Sequence, residues 1–163
     1  MFLCSEHSRE KFGSCSDGEI ANAERGLGLQ LPLEYRNLLR DVGGGVLDEG
    51  GRFCFPVRQL EEGYYIGLES TFGLHGGTID LLESPSLMGP DRWGVPMELL
   101  IFSMSTSGPG ESVGINYGLQ QFPPMSIIYI GIGRGNCMIK LADSFGDFID
   151  GLTFAPDDWT SSD

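Results

Sequence analysis

The chain has 163 residues, with ten Lys and Arg against twenty-three Asp and Glu, so its net charge is −13. That excess repels DNA, RNA and anionic lipid headgroups and makes a basic protein the natural partner. With 40 % apolar residues and no apolar run near the roughly 18 residues that span a bilayer, disorder and a transmembrane helix are poor readings, and a chain of this length can bury about two-thirds of its surface around one core.

The opening stretch, MFLCSEHSREKF, mixes Glu6, Glu10 and basic residues and lacks the apolar core of a secretory signal, which predicts a cytoplasmic protein. A first helix is predicted from Ser16-x-x-Glu19, a capping box, with Ile20, Ala23 and Leu27 on one face and Gly28 as its stop. Pro32 is expected at the first position of a second helix, where a missing N–H costs nothing. Tyr35, Leu38, Leu39 and Val42 form its buried stripe, and Gly43, Gly44 and Gly45 end it.

After that stop the period changes to two. Strands are predicted at Phe53–Val57, Tyr64–Leu68, Thr78–Leu82, Leu99–Phe102, Val113–Tyr117, Ile127–Ile130 and Cys137–Leu141. Turns are expected at Gly76-Gly77, Gly89-Pro90, Gly108-Pro109-Gly110, Pro123-Pro124 and from Gly131 to Asn136. Ser144-x-x-Asp147 caps a third helix carrying Phe145, Phe148, Ile149 and Leu152. Helices at both ends with strands between them give an α+β fold: a single mixed, mainly antiparallel sheet of about six or seven strands, with two N-terminal helices and one C-terminal helix packed on it. One domain spans residues 1–163, its ordered core running from about 16 to 154 and its ends loosely held.

Material for catalysis is thin. Of the two histidines, His7 lies in the opening stretch and His75 in a Gly-flanked loop; a nucleophile such as Ser70 or Thr71 would have to serve it, and no G-x-S-x-G elbow is present. His75 therefore reads as a structural or exposed loop residue. The segment Gly131-Ile132-Gly133-Arg134-Gly135-Asn136 looks like an anion-binding loop but lacks the following Lys-Ser/Thr and joins two strands, so it reads as a hairpin turn. Cys4, Cys15, Cys54 and Cys137 show neither CxxC spacing nor zinc-ligand neighbours and read as reduced thiols. The pairs Asp48-Glu49, Glu61-Glu62 and Asp157-Asp158 read as a solvated rim, with no calcium-loop pattern. No catalytic residue, metal or cofactor is expected.

The acids matter by their density. From Asp41 to Asp91 there are nine acidic and two basic residues, an excess of seven and more than half of the net charge. Such a face attracts a cationic protein and speeds its association. Asp48, Glu49, Glu61, Glu62, Glu69, Asp80, Glu83 and Asp91 are the candidate partner-binding acids, with Trp93 as a candidate anchor.

The stretch SDGEIANAERGLGLQLPLEYRNLLRDVGGG, Ser16 to Gly45, resembles the opening signature of the SUKH (Smi1/Knr4-like) superfamily: a helix ending at Leu-Gly, a Leu-Pro start to the next, and a run into glycines. The likeness continues through Pro96 to Phe102, Gly108-Pro109-Gly110-Glu111, Ile127 to Ile130 and Leu141 to Ile149, covering roughly Ser16 to Phe154. The chain departs from the family pattern in a shorter N-terminal helix and in Val42 standing where an Asn usually precedes the glycines. The resemblance implies a non-enzymatic domain. Most bacterial members are immunity proteins that neutralise a toxin, often a nuclease, and fungal members regulate cell-wall synthesis. The expectation is an immunity protein whose partner is a basic cognate toxin domain; the alternative is a regulatory scaffold that recruits host proteins. A monomer is the expected state, with neither nucleic acid nor membrane as a partner.

Overall fold

The computed structural model describes residues 10–11, 13–46, 53–60, 64–75, 80–82, 94–105, 108–135 and 137–154. Strand β1 (Glu10–Lys11) precedes helices α1 (Asp17–Leu27) and α2 (Leu33–Asp41). Strands β2 (Gly45–Val46), β3 (Phe53–Pro56), β4 (Tyr65–Thr71), β5 (Leu99–Ser105), β6 (Gly108–Asn116), β7 (Ile127–Gly131) and β8 (Cys137–Ala142) follow, and helix α3 (Phe145–Gly151) leads to β9 (Thr153–Phe154). This is the α+β architecture expected.

Local chemistry starts α1 and α3 at the serines that predict them. The Ser16 N–H donates to Glu19 Oε2 at 2.8 Å and the Glu19 N–H to Ser16 Oγ at 3.3 Å, closing the capping box of α1. Gly28 ends that helix at φ 69°. Pro32, expected at the first helical position, sits one residue outside it: its ψ of 147° is extended, so Leu33 is the first helical residue. Tyr35, Leu38, Leu39 and Val42 are buried as a stripe. Beyond them Gly43 and Gly44 take φ of 75° and 90°, and a Cβ on Gly43 would collide with the carbonyl oxygen of Gly13. Ser144 caps α3, accepting from the Asp147 N–H at 3.0 Å.

All strand pairs are antiparallel, in the order β1-β2-β4-β5-β6-β7-β8, with β3 also pairing β4 and β9 pairing β3. The parallel pairing among the described residues is one isolated bridge, Gly73 to Asp80. Within the predicted strand Thr78–Leu82, residues 78–79 lie outside the described set and Asp80 makes that bridge before a turn at Leu81-Leu82. Gly108-Pro109-Gly110, expected as a turn, instead opens β6, where Gly108 pairs with Ser105. Two-residue strands such as β1, β2 and β9 are too short to show a period, so the sheet has more strands than the six or seven expected.

Strand β4 is the junction of the sheet. One edge pairs with β5, while the other is divided: β3 takes Tyr65 to Gly67, and β2 takes Ser70 and Thr71. Glu69 stands between these halves, at a register shift against β5. Beyond β5 the sheet curls far enough for Gln59, after β3, to donate to the Lys140 carbonyl of β8 at 3.2 Å. Every residue of β5 and β7 is buried, so both faces of these central strands are covered.

The helical layer meets the sheet through aromatic rings. Tyr35 stacks on Phe145 with centroids 4.9 Å apart, and Phe102 of β5 lies 5.1 Å from Phe145 and 5.4 Å from Phe148. Phe148 also stacks on Phe55 of β3 at 5.0 Å. At the end of β6, buried Asn116 organises the connection to β7. Its amide donates to the carbonyls of Leu119, Phe122 and Pro123 at 3.0 Å each, and its oxygen accepts from the Gly118 and Leu119 N–H groups. Replacing Asn116 with Ala strands these partners. We expect a loss of about 3 kcal/mol in urea unfolding, with Asn116→Asp also destabilising because the three carbonyls lose their donor.

Candidate functional site

Two of the nine predicted contact residues, Glu69 and Asp80, fall among the described residues; Asp48, Glu49, Glu61, Glu62, Glu83, Asp91 and Trp93 lie outside them. The sheet divides on either side of Glu69, and its side chain is exposed there. Asp80 is half-buried and engaged locally: Oδ1 accepts from the Leu82 N–H at 2.8 Å, the short-range turn that Asp side chains favour. The two acids thus differ in kind, one held by its own backbone and one facing water.

Four of the described basic side chains are paired with acids of the same chain. Arg40 bonds Asp17 at 2.6 Å, Lys140 bonds Asp143 at 2.6 Å, Arg134 bonds Glu111 at 3.2 Å, and Arg36 lies 3.7 Å from Glu24. Glu34, Asp41, Glu69, Glu98, Asp147 and Asp150 remain as exposed acids. His75 is exposed and its Nε2 lies 3.0 Å from Glu19 Oε1, so the loop histidine is tied to the N-terminus of α1. Hydrogen bonds from the Ser16 hydroxyl and backbone, with His75 adding to them, hold the Glu19 carboxyl below the ordinary carboxylate range.

A second polar group lies where the sheet curls inward. Glu111, on β6, shares the strand phase of buried Val113 and Ile115, and its side chain is 14 % exposed. Its Oε1 accepts from the Tyr64 hydroxyl at 2.8 Å, the Tyr129 hydroxyl at 2.8 Å and Arg134 Nε at 3.2 Å. Oε2 accepts from Ser105 Oγ at 3.3 Å. The Arg134 guanidinium carbon also stands 4.4 Å from the centre of the Tyr64 ring. Gly131, two residues beyond Tyr129, leaves room for that ring: a Cβ there would come within 2.8 Å of the Tyr129 hydroxyl.

Nothing in the density of acids pointed to this group. The signal that does so is phase, since a carboxylate in register with buried apolar residues must find donors. Arg134 sits in the predicted hairpin turn, a 3₁₀ turn over Ile132–Arg134 joining β7 to β8. The turn bears an arginine that meets a carboxylate of its own chain. Among the described residues no group of three or more His, Cys, Asp or Glu is placed to hold a metal, and no helix is long and apolar enough to cross a membrane. Burial pushes the Cys54 thiol up to about 12 and raises Cys15 as well.

A curled antiparallel sheet covered by three helices, two of them capped by serines, with the Glu111 cluster satisfied by its own hydrogen bonds and an excess of exposed acids, defines an α+β protein of the class that the Leu-Gly and Leu-Pro junctions imply. The sequence model of the SMI1 / KNR4 family (SUKH-1) matches residues 14–151, and the chain belongs to that family. The family is known for immunity and regulatory proteins. Comparison with curated proteins gave no match.

The tyrosines of the inner cluster set an alkaline limit. Burial, and next the hydrogen bond to Glu111, push the phenols of Tyr64 and Tyr129 above their ordinary value. A raised folded pKa contributes stability that is complete below the unfolded value of about 10 and is lost as pH rises past it. Denaturant midpoints measured between about pH 8 and 11 should therefore fall on the alkaline side, and Tyr129→Phe should flatten that fall while lowering stability at pH 8 by about 1 kcal/mol.

Proposed function

We propose that this protein is an immunity protein that binds and neutralises a cognate bacterial toxin through an acidic surface. Membership of the SMI1 / KNR4 family over residues 14–151 supports the class. Charge is the observation that carries the particular reading: a net −13, concentrated between Asp41 and Asp91, on a chain whose described arginines and lysines are mostly paired internally. A toxin that cleaves nucleic acid is basic where it holds phosphates, so an acidic protein competes for that surface by presenting the same charge as the substrate.

The proposed contact face comprises Asp48, Glu49, Glu61, Glu62, Glu69, Asp80, Glu83 and Asp91, with Trp93 as an apolar anchor. Glu69 is its exposed described member, standing at the register shift between β4 and β5. The activity is docking in the cytoplasm, without a bond-making step. Steering by such a face is a long-range effect and is screened within about 10 Å at 0.1 M salt.

Co-expression with the product of the neighbouring gene, followed by co-purification and titration calorimetry, tests the reading. Affinity for the purified toxin domain should fall steeply between about 50 and about 500 mM salt, and Glu69→Lys should slow association several-fold at the low end and little at the high end. Affinity that stays flat across that range would falsify the charge-mimicry component. A neighbour that encodes no toxin, together with capture of host regulatory proteins, would favour the scaffold role.

A further inference from the structure

The inner cluster is built in two unequal parts. Ser105, Glu111 and Tyr129 are held by ladder pairing within the sheet, and Tyr64, the residue before β4, is half-buried with its carbonyl accepting from the Val57 N–H at 2.8 Å. Arg134 comes from a three-residue turn, bounded by Gly135 at φ 75°, and its side chain is 43 % exposed. Carboxylate and ring are therefore fixed, while the cation is carried on a short tether.

The fixed part has the makings of a cation receptor. An anionic oxygen faces the position of the guanidinium Nε at 3.2 Å, and the Tyr64 ring presents its face to the guanidinium carbon at 4.4 Å. A carboxylate beside an aromatic face matches the planar, weakly hydrated guanidinium better than it matches an ammonium ion. Two tyrosine hydroxyls and Ser105 continue to donate to Glu111 when the arginine leaves, so the receptor keeps its anion in place without its occupant.

We propose that Tyr64, Glu111 and Tyr129 form a guanidinium-binding site, filled in the free protein by Arg134, and that an arginine side chain of a docked basic protein takes the place of Arg134. The identity of that partner rests on the toxin-binding reading; the binding chemistry does not. Arg134 then acts as an internal stand-in. It keeps Glu111 neutralised until a partner arrives, and it competes through its tether with any weak ligand in solution. A purely structural clamp uses the same contacts but has no reason to accept an outside guanidinium.

The test uses Arg134→Ala and L-argininamide, followed through the ring signals of Tyr64 and Tyr129 by NMR. A saturable shift is expected with half-saturation on the order of 1–10 mM, as suits one desolvated charge pair and one stacked face. The neutral isostere L-citrullinamide should bind at least about tenfold more weakly, as should argininamide added to the wild type or to Arg134→Ala/Glu111→Gln. Arg134→Gln, which keeps the stem over Tyr64 and removes the charge, is titrated in the same way should the alanine variant fail to fold. Absence of saturation in both Arg134 variants, equal binding of the citrulline compound, or indifference to Glu111→Gln overturns the site. No toxin enters this titration, so a flat response removes the guanidinium site and leaves salt-dependent toxin binding standing, while a saturable response alongside salt-independent toxin affinity removes the charge-mimicry component alone.

Discussion

Tyr35 fastens the helical layer to the sheet, and much of the fold depends on that one side chain. Its ring is wholly buried, stacks on Phe145 of α3 and lies 5.7 Å from Phe102 of β5, while its hydroxyl donates to the Phe72 carbonyl at 2.8 Å. A buried phenol needs an acceptor, and the chain after β4 supplies one. Three elements distant in sequence, α2, β5 and α3, are thereby held at one point, with the hydrogen bond fixing the position of the ring. Burial raises the Tyr35 phenol well above its ordinary value, which favours the protonated donor.

The three helices and the six longer strands, β3 to β8, are legible in the sequence, while the two-residue strands β1, β2 and β9 are not. Ser16, Glu19, Gly28, Ser144 and the stripe from Tyr35 to Val42 act over three to seven residues, within reach of any local pattern. Strands β5 and β7 were legible as apolar runs, since burial on both faces leaves no polar alternation to lose. β9 cannot be read in this way: two residues, Thr153 and Phe154, become a strand only because α3 delivers them to the open edge of β3. Gly108-Pro109-Gly110 was misread for a related reason. Its composition is that of a turn, and pairing with β5 overrides composition once the neighbouring strand is in place.

The functional candidates divide along the same line. Density picks out acids that solvate a face, and by that measure the segment from Asp41 to Asp91 stands out. It does not pick out Glu111, whose partners Tyr64, Tyr129 and Arg134 lie 47, 18 and 23 residues away in the sequence. Only the curl of the sheet brings them together. In the sequence the arginine of the β7–β8 turn is one basic residue in a glycine-rich loop; in the fold it is the occupant of a carboxylate on another strand.

These two populations of acid do different work in one molecule. Asp17, Glu19, Glu24, Glu111 and Asp143 are matched to donors of their own chain and fix helix ends, turns and the inner cluster. Glu34, Asp41, Glu69, Glu98 and Asp150 face solvent and set the field that an approaching protein meets. Because four of the chain's ten cations stand beside acids of the first group, the local field around the second group is more negative than an even spread of the same residues would make it. The four paired cations stay partly exposed, each beside its own carboxylate, so the acids without such a neighbour set the local field elsewhere on the surface. A partner that offers arginines of its own meets both an attractive surface and, at Glu111, a carboxylate whose present cation is held only by a short turn.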